Sequence, residues 1–309
     1  MSDSGPGLSR RNVLVASALI GTGAAGLSDS AAAAPAADPM TPVPLPAQAA
    51  AKEGVAQLAD TRLWYWDTGG DGAPVVLLHP ATGSALIWGY QQPVFAKAGY
   101  RIIAYSRRGY YNSAPHTADK PGIGSEDLHG LIEQLGIRKF HAVASAAGGS
   151  IAADYAFSHP DRLYSLTISS NSFGVRDGTI AKAAAAIRPP GWDEMPADFR
   201  ELGPSYRAAN PDGVKRWIEL EHKARVGASY RQRLKNEVTQ ARLKELKMPV
   251  LIISGTADLS TSPAIARMVA AEIPGSEVVV VPESGHSVYW EQPDAFNRAV
   301  LDFIGRHSK

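Results

Sequence analysis

Three short segments carry the residue types that could do chemistry. The first is His79-Pro80-Ala81-Thr82-Gly83-Ser84, with Trp88 downstream. The second is Val143-Ala144-Ser145-Ala146-Ala147-Gly148-Gly149, an apolar run that passes through small residues into a helical stretch. The third is a pair: Asp258 in Gly255-Thr256-Ala257-Asp258, and His286 in Pro282-Glu283-Ser284-Gly285-His286. The 309 residues contain no Cys, which removes disulfides, thiolate nucleophiles, zinc–cysteine sites and iron–sulfur clusters. Catalysis therefore rests on Ser, His, carboxylates, backbone amides or a cofactor. His116, His129, His141, His159, His222 and His307 show no metal-ligand spacing and read as surface or packing residues. No glycine loop of the phosphate-binding kind is followed by an acid. No metal and no cofactor is expected.

Each of these segments lies just past a predicted strand. Continuous apolar runs of the kind buried on both faces occur at Pro74–His79, Arg101–Tyr105, Phe140–Ser145, Leu163–Ser169, Val250–Ser254 and Glu277–Val281. Arg62–Trp66 alternates around aromatics and ends at Gly69-Gly70. Helical stretches fall around Trp88–Ala98, Ser125–Leu135, Gly149–Ser158, Pro263–Ile273 and Gln292–Gly305. Strand–helix alternation predicts an α/β domain with a mostly parallel, doubly wound sheet. The core spans 61–170 and 248–309. Residues 171–247 break the rhythm and are long enough for an inserted helical cap. The cap carries Trp192, Phe199, Tyr206, Trp217, Leu220 and Tyr230, mostly at helical spacing. These aromatics pack the cap on the core and, with Trp88, wall an apolar pocket beyond the strand ends.

The first 37 residues read as an address. Ser9-Arg10-Arg11-Asn12-Val13-Leu14-Val15 opens a Gly/Ala-rich apolar stretch that runs to about Leu27, with Ala31–Ala34 beyond it. A paired arginine, a weakly hydrophobic segment and small residues for a peptidase make a twin-arginine export signal. The stretch is too short and glycine-rich to span ~30 Å of hydrocarbon. The expected partner at this stage is the Tat translocase, and the destination is periplasmic or extracellular. Residues 38–60 read as a Pro/Ala-rich linker. With 31 Lys+Arg, 30 Asp+Glu and a net charge of +1, no basic block outside the leader marks a nucleic-acid surface. The expected partner of the mature chain is a small-molecule substrate.

From about residue 61 to the end the chain resembles the α/β-hydrolase fold superfamily. The elements that carry the resemblance come in order: the His79 strand end, Arg108-Gly109 with Ser113, the turn at 144–148, His159-Pro160-Asp161-Arg162, Gly255-Thr256-Ala257-Asp258, and Gly285-His286 with Glu291-Gln292-Pro293. The resemblance implies an α/β-hydrolase fold whose triad runs nucleophile, acid, His along the chain. It implies His286 as general base and acid. Asp258 would orient its tautomer. The backbone N–H groups of Ala81 and Ala147 would form an oxyanion hole. His79 reads as a structural hydrogen-bonder and Arg108 as a loop brace.

One position departs from the pattern. The family's Gly-x-Ser-x-Gly elbow needs small residues two places either side of the nucleophile. Ala144 and Gly148 fit those places, which puts Ala146 at the nucleophile position. A register centred on Ser145 would instead place β-branched Val143 where crowding demands a small residue. Ser145 is expected in the slot before the nucleophile, lining the pocket with Pro80, Trp88, Trp192, Tyr206 and Trp217, its hydroxyl bonded locally. A methyl group cannot attack a carbonyl. The expectation is an exported hydrolase of an ester, lactone, amide or C–C bond in a small apolar carbonyl compound, inactivated by Ala in place of Ser. Two alternatives stay open: a nucleophile-free His–Asp enzyme (a lyase or cofactor-independent oxygenase), or a pseudoenzyme that binds a ligand.

Overall fold

The computed structural model of the chain describes residues 41–227 and 231–308. Eight strands, β1 (Lys52–Gln57), β2 (Arg62–Asp67), β3 (Pro74–Leu78), β4 (Arg101–Tyr105), β5 (Phe140–Ser145), β6 (Leu163–Ser169), β7 (Val250–Gly255) and β8 (Glu277–Val281), form one sheet in the order β1-β2-β4-β3-β5-β6-β7-β8. The pairs from β4 through β8 are parallel, whereas β1–β2 and β2–β4 are antiparallel. Ten helices accompany them: α1 (Gln92–Lys97), α2 (Gly124–Gln134), α3 (Ala147–Ser158), α4 (Gly178–Ala186), α5 (Ala197–Glu201), α6 (Pro204–Ala209), α7 (Pro211–Ala224), α8 (Pro263–Ala271), α9 (Val288–Glu291) and α10 (Pro293–Arg306). Among the described residues no helix is long and apolar enough to cross a membrane. The leader at 1–37 and Tyr230 lie outside the described residues.

Successive residues of a strand face opposite sides of the sheet, and here each side has its own core. Val76 and Leu78 join α2, α3 and α8 on one side. Val75 and Leu77 join α1, α9 and α10 on the other. The insertion between β6 and β7 is divided in the same way. Phe173, Val175 and Ile180 pack into the α3 side, while Leu202, Tyr206, Trp217 and Leu220 pack into the α10 side. It is therefore wrapped on both cores, and the part that reaches the strand ends is α5–α7.

Two expectations need correction. The linker expected at 38–60 contains β1, and residues 43–49 are tied down ahead of it. Ala49 and the Gln92 side chain exchange two hydrogen bonds of 2.8 and 2.9 Å, and Tyr90 Oη donates to the Val43 carbonyl at 2.8 Å. An edge strand such as Lys-Glu-Gly-Val-Ala-Gln, half-exposed along its length, has too little apolar alternation to announce itself. The single helix expected at Trp88–Ala98 is a 3-10 turn, Ala85–Trp88, followed by α1. Pro93 sits in the first turn of α1, where a missing N–H does no harm and the helix restarts.

Candidate active site

β5 passes into α3 through one residue. Ala146 has φ 47° and ψ −119°, a region that residues bearing a Cβ rarely occupy. Its N–H donates to the Ser169 carbonyl at 2.9 Å, and its own carbonyl accepts from Gly149 N at 2.8 Å. The turn is tight because α3 starts hard against β3. A Cβ on Gly148 would collide with the Leu78 carbonyl and lie 2.9 Å from the His79 carbonyl oxygen. The strained residue is Ala146, and Ser145 is the last residue of the strand. Ser145 is fully buried, and its hydroxyl has no hydrogen-bond partner among the described residues. Instead of bonding locally or facing a pocket, it is sealed between the strand neighbours.

His286 follows β8 and Asp258 follows β7, both buried at the carboxyl edge of the sheet. His286 Nδ1 donates to the Asp258 carboxylate at 2.9 and 3.0 Å. Asp258 Oδ1 also accepts from Ser260 N at 2.7 Å and Thr261 N at 2.8 Å, which fixes the carboxylate's orientation. Burial opposes the charge on both groups. For His286 the carboxylates of Asp258 and Glu201 outweigh it, and its pKa is pushed up to about 9. Burial likewise works against the charge on Asp258, but His286 and the two N–H donors hold it below the usual carboxylate range.

The loop after β3 is braced by His79, buried with Nδ1 2.7 Å from the Pro80 carbonyl and Nε2 accepting from Arg107 N at 3.1 Å. That pattern calls for the neutral ring, and burial together with Arg107 pushes its pKa well down. Ala81 turns its carbonyl toward Tyr110 Oη, at 3.1 Å. Among the described residues neither Ala81 N nor Ala147 N donates a hydrogen bond. Arg108 is clamped by Asp127 and Asp60, with contacts of 2.5 and 3.0 Å.

The residues expected to wall a pocket separate into two groups. Trp88 and Trp217 are 0% and 1% exposed; Trp88 packs on Tyr289 with ring centroids 4.9 Å apart. Both belong to the apolar core, as does Tyr206. Pro80 is buried in the braced loop. Trp192, half-buried, stands in the insertion beside Arg188 and Arg200, whose guanidinium carbons lie 5.9 and 6.0 Å from its ring. Among the described residues no cluster of three or more His, Asp or Glu could hold a metal ion.

Two carboxylates were missed by sequence reasoning. Glu291 accepts from Gly203 N at 2.7 Å, Gly285 N at 2.9 Å and Ser287 N at 3.2 Å, joining the insertion to the His286 loop. Burial pushes its pKa to about 8 in spite of those donors. Glu201, at the end of α5, interacts electrostatically with His286. The signal for Glu291 was its place in Glu291-Gln292-Pro293, five residues beyond His286. Glu201 stands in a polar stretch with nothing to distinguish it.

Known proteins agree with this architecture. The model of the Alpha/beta hydrolase family matches residues 75–299. A 2-hydroxy-6-oxononadienedioate/2-hydroxy-6-oxononatrienedioate hydrolase of Paraburkholderia phymatum is 26% identical over 80% of this chain and 92% of its own length. The solved enol-lactonase of Burkholderia xenovorans superposes with a TM-score of 0.68 at 25% identity, covering 82% of this chain and all of that one. An esterase of Thermogutta terrifontis gives a TM-score of 0.67 at 23% identity over 84% of this chain. With the sheet order, the strand-end residues and a family match over most of its length all in agreement, this chain belongs to the alpha/beta hydrolase family.

Proposed function

We propose that the chain binds a small, largely apolar carbonyl compound at the carboxyl edge of the sheet, beneath α5–α7, and that it stands one hydroxyl short of a serine hydrolase. The observation that carries this reading is Ala146: a strained turn of the shape that exposes a nucleophile, followed by the undonated Ala147 amide, with no nucleophile on it. The substrate's carbonyl oxygen takes hydrogen bonds from Ala81 N and Ala147 N. Charge developing on that oxygen is stabilised by donors already in place. His286, its Nδ1–H held by Asp258, presents Nε2 to the reacting centre. In the chain as it stands, His286 can only take a proton from water as the water oxygen adds to the carbonyl carbon, then return it to the leaving group. Loss of the nucleophile of such a triad lowers kcat on the order of 10⁶-fold.

The relatives support a class of bond. A 2-hydroxy-6-oxo dienedioate is cleaved at a carbon–carbon bond beside a ketone, and an enol-lactone is a cyclic ester. Both place a carbonyl at the scissile bond, as esters and lactones in general do. The leader directs export through the twin-arginine route, so the site works outside the cytoplasm. The test is p-nitrophenyl ester hydrolysis, acetate through octanoate, by the leader-free chain and its Ala146→Ser variant. A gain of several orders of magnitude on introducing the hydroxyl is expected; equal rates would sink the assignment.

A second reading has its own support in the raised pKa of His286, which makes its neutral form a stronger base than a free imidazole. Proton abstraction alone would then be the chemistry. His286→Ala would abolish it and Ala146→Ser would leave it unchanged.

A further inference from the structure

The insertion meets the His286 loop backbone to backbone. A Cβ on Gly285 would collide with Gly203 N and sit 2.9 Å from the Leu202 carbonyl carbon and 3.0 Å from the Glu201 carbonyl oxygen. Ser287 N donates to that same Glu201 carbonyl at 3.0 Å. Contact this close leaves the Glu201 side chain little choice of direction. Its Oε2 lies 3.4 Å from Ser287 Oγ, one residue from His286. The buried Thr82 hydroxyl, which completes no full hydrogen bond among the described residues, interacts with the same carboxylate. Thr82 follows Ala81. Glu201 therefore stands between the loop carrying Ala81 N and the loop carrying His286.

We propose that Glu201 sets the charge selectivity of this site, admitting uncharged or cationic carbonyl compounds and rejecting those with a carboxylate close to the reacting carbonyl. The assignment rests on the reading that such compounds bind beside His286. Two carboxylates, Asp258 and Glu201, act on one imidazole; burial and Asp258 push the Glu201 pKa up while His286 and Arg200 work against that rise, and an ionised Glu201 beside Asp258 outnumbers the single imidazolium. Arg200 acts on Glu201 electrostatically without an ion pair among the described residues, and Arg225 donates to the Ala81 carbonyl at 3.2 Å. Arg188 is exposed and donates to Ser260 Oγ at 3.2 Å, and Arg200 is turned against Trp192. Asp258 and His286 are buried, where solvent screening is weak, so a substrate carboxylate beside them is repelled more strongly than at the surface. A dicarboxylate is the kind of molecule this arrangement disfavours.

Three p-nitroanilides of similar shape test the proposal: butyryl (neutral), succinyl (anionic) and 4-(trimethylammonio)butyryl (cationic). Their dissociation constants are measured by calorimetry at pH 8 with the chain as it stands and with Glu201→Gln. The anionic anilide should bind the unaltered chain at least ~10-fold more weakly than the neutral one. Glu201→Gln should close that gap, and Glu201→Asp should keep it. The backbone carbonyl of residue 201 carries the Ser287 contact, so these variants retain the anchor. Glu201→Ala gives the same readout should the Gln variant unfold. No gap in the unaltered chain, a gap that survives Glu201→Gln, or no binding of any anilide overturns the proposal. The corresponding p-nitrophenyl esters, assayed in an Ala146→Ser background, separate it from the proposed function. If ester hydrolysis never appears but the anilide ranking changes with residue 201, the hydrolytic reading fails and the selectivity stands. If hydrolysis appears with a ranking indifferent to residue 201, the reverse holds.

Discussion

The site is assembled from two regions built by different rules. Ala81, Ala146, Ala147, Asp258 and His286 each lie within a short turn past the end of a parallel strand, so their places are set by sheet register and by glycines that admit no side chain. Glu201, Gly203 and Tyr206 come from the α5–α6 segment of the insertion, anchored by the core packing of Leu202 and Tyr206 and by contacts to one loop: Gly203 N to Glu291, Ser287 N to Glu201, and the apposition of Gly203 and Gly285. The first region fixes what chemistry is available. The second, in the selectivity proposed above, decides which molecule reaches it. That separation agrees with a fold that carries many activities on one scaffold.

The sharpest way to break the comparison is to restore chemistry in the first region alone. Ala146→Ser should raise p-nitrophenyl ester kcat/KM by about 10⁴-fold or more, and His286→Ala in that background should remove the gain. Stopped-flow release of p-nitrophenol reads both. Next in size is the packing beneath the elbow. Gly148→Ala drives a methyl into the Leu78 carbonyl and should lower unfolding free energy by roughly 3 kcal/mol in denaturant titration. Smaller still is the bond between the regions. Glu291→Gln leaves one of the Gly203, Gly285 and Ser287 amides facing an amide NH₂, and should destabilise by about 1–3 kcal/mol. Hydrogen exchange should quicken in α5–α6 and 284–287 while β5–β7 stay protected; uniform quickening would show that the two regions are one cooperative unit.

A further test is the pH response of the dyad. The folded-state pKa of His286 lies above that of a free imidazole. Its contribution to stability is therefore complete below about pH 6.5 and declines as pH rises through about 9. Thermal midpoints recorded from pH 6 to 10 should fall more for the unaltered chain than for Asp258→Asn, in which the partner charge is gone.

The two regions were also unequally legible in the sequence. Runs such as Phe140–Ser145 and Leu163–Ser169, buried on both faces, are continuous apolar stretches and coincide with β5 and β6. Asp258 and His286 announced themselves by glycine-flanked positions just past two such runs. β1 did not, because a half-exposed edge strand has no buried face to advertise. Trp88 and Trp217 were expected on a pocket wall, yet an aromatic at helical spacing fits a core and a cavity equally well. Only burial separates the two. Glu201 was invisible for a further reason: its place beside His286 depends on a backbone contact between segments eighty residues apart, Gly203 against Gly285.

The backbone at Ala146 takes its shape from Ser169, Gly148 and Gly149, and from nothing that the residue's own side chain does. Alanine and serine therefore occupy the turn on equal terms, and their codons differ by a single base. A lineage can gain or lose the hydroxyl in one step without passing through an unfolded ancestor. The geometry of the strand ends would persist across that step. The backbone that would display a hydroxyl at position 146 is set independently of whether one is present.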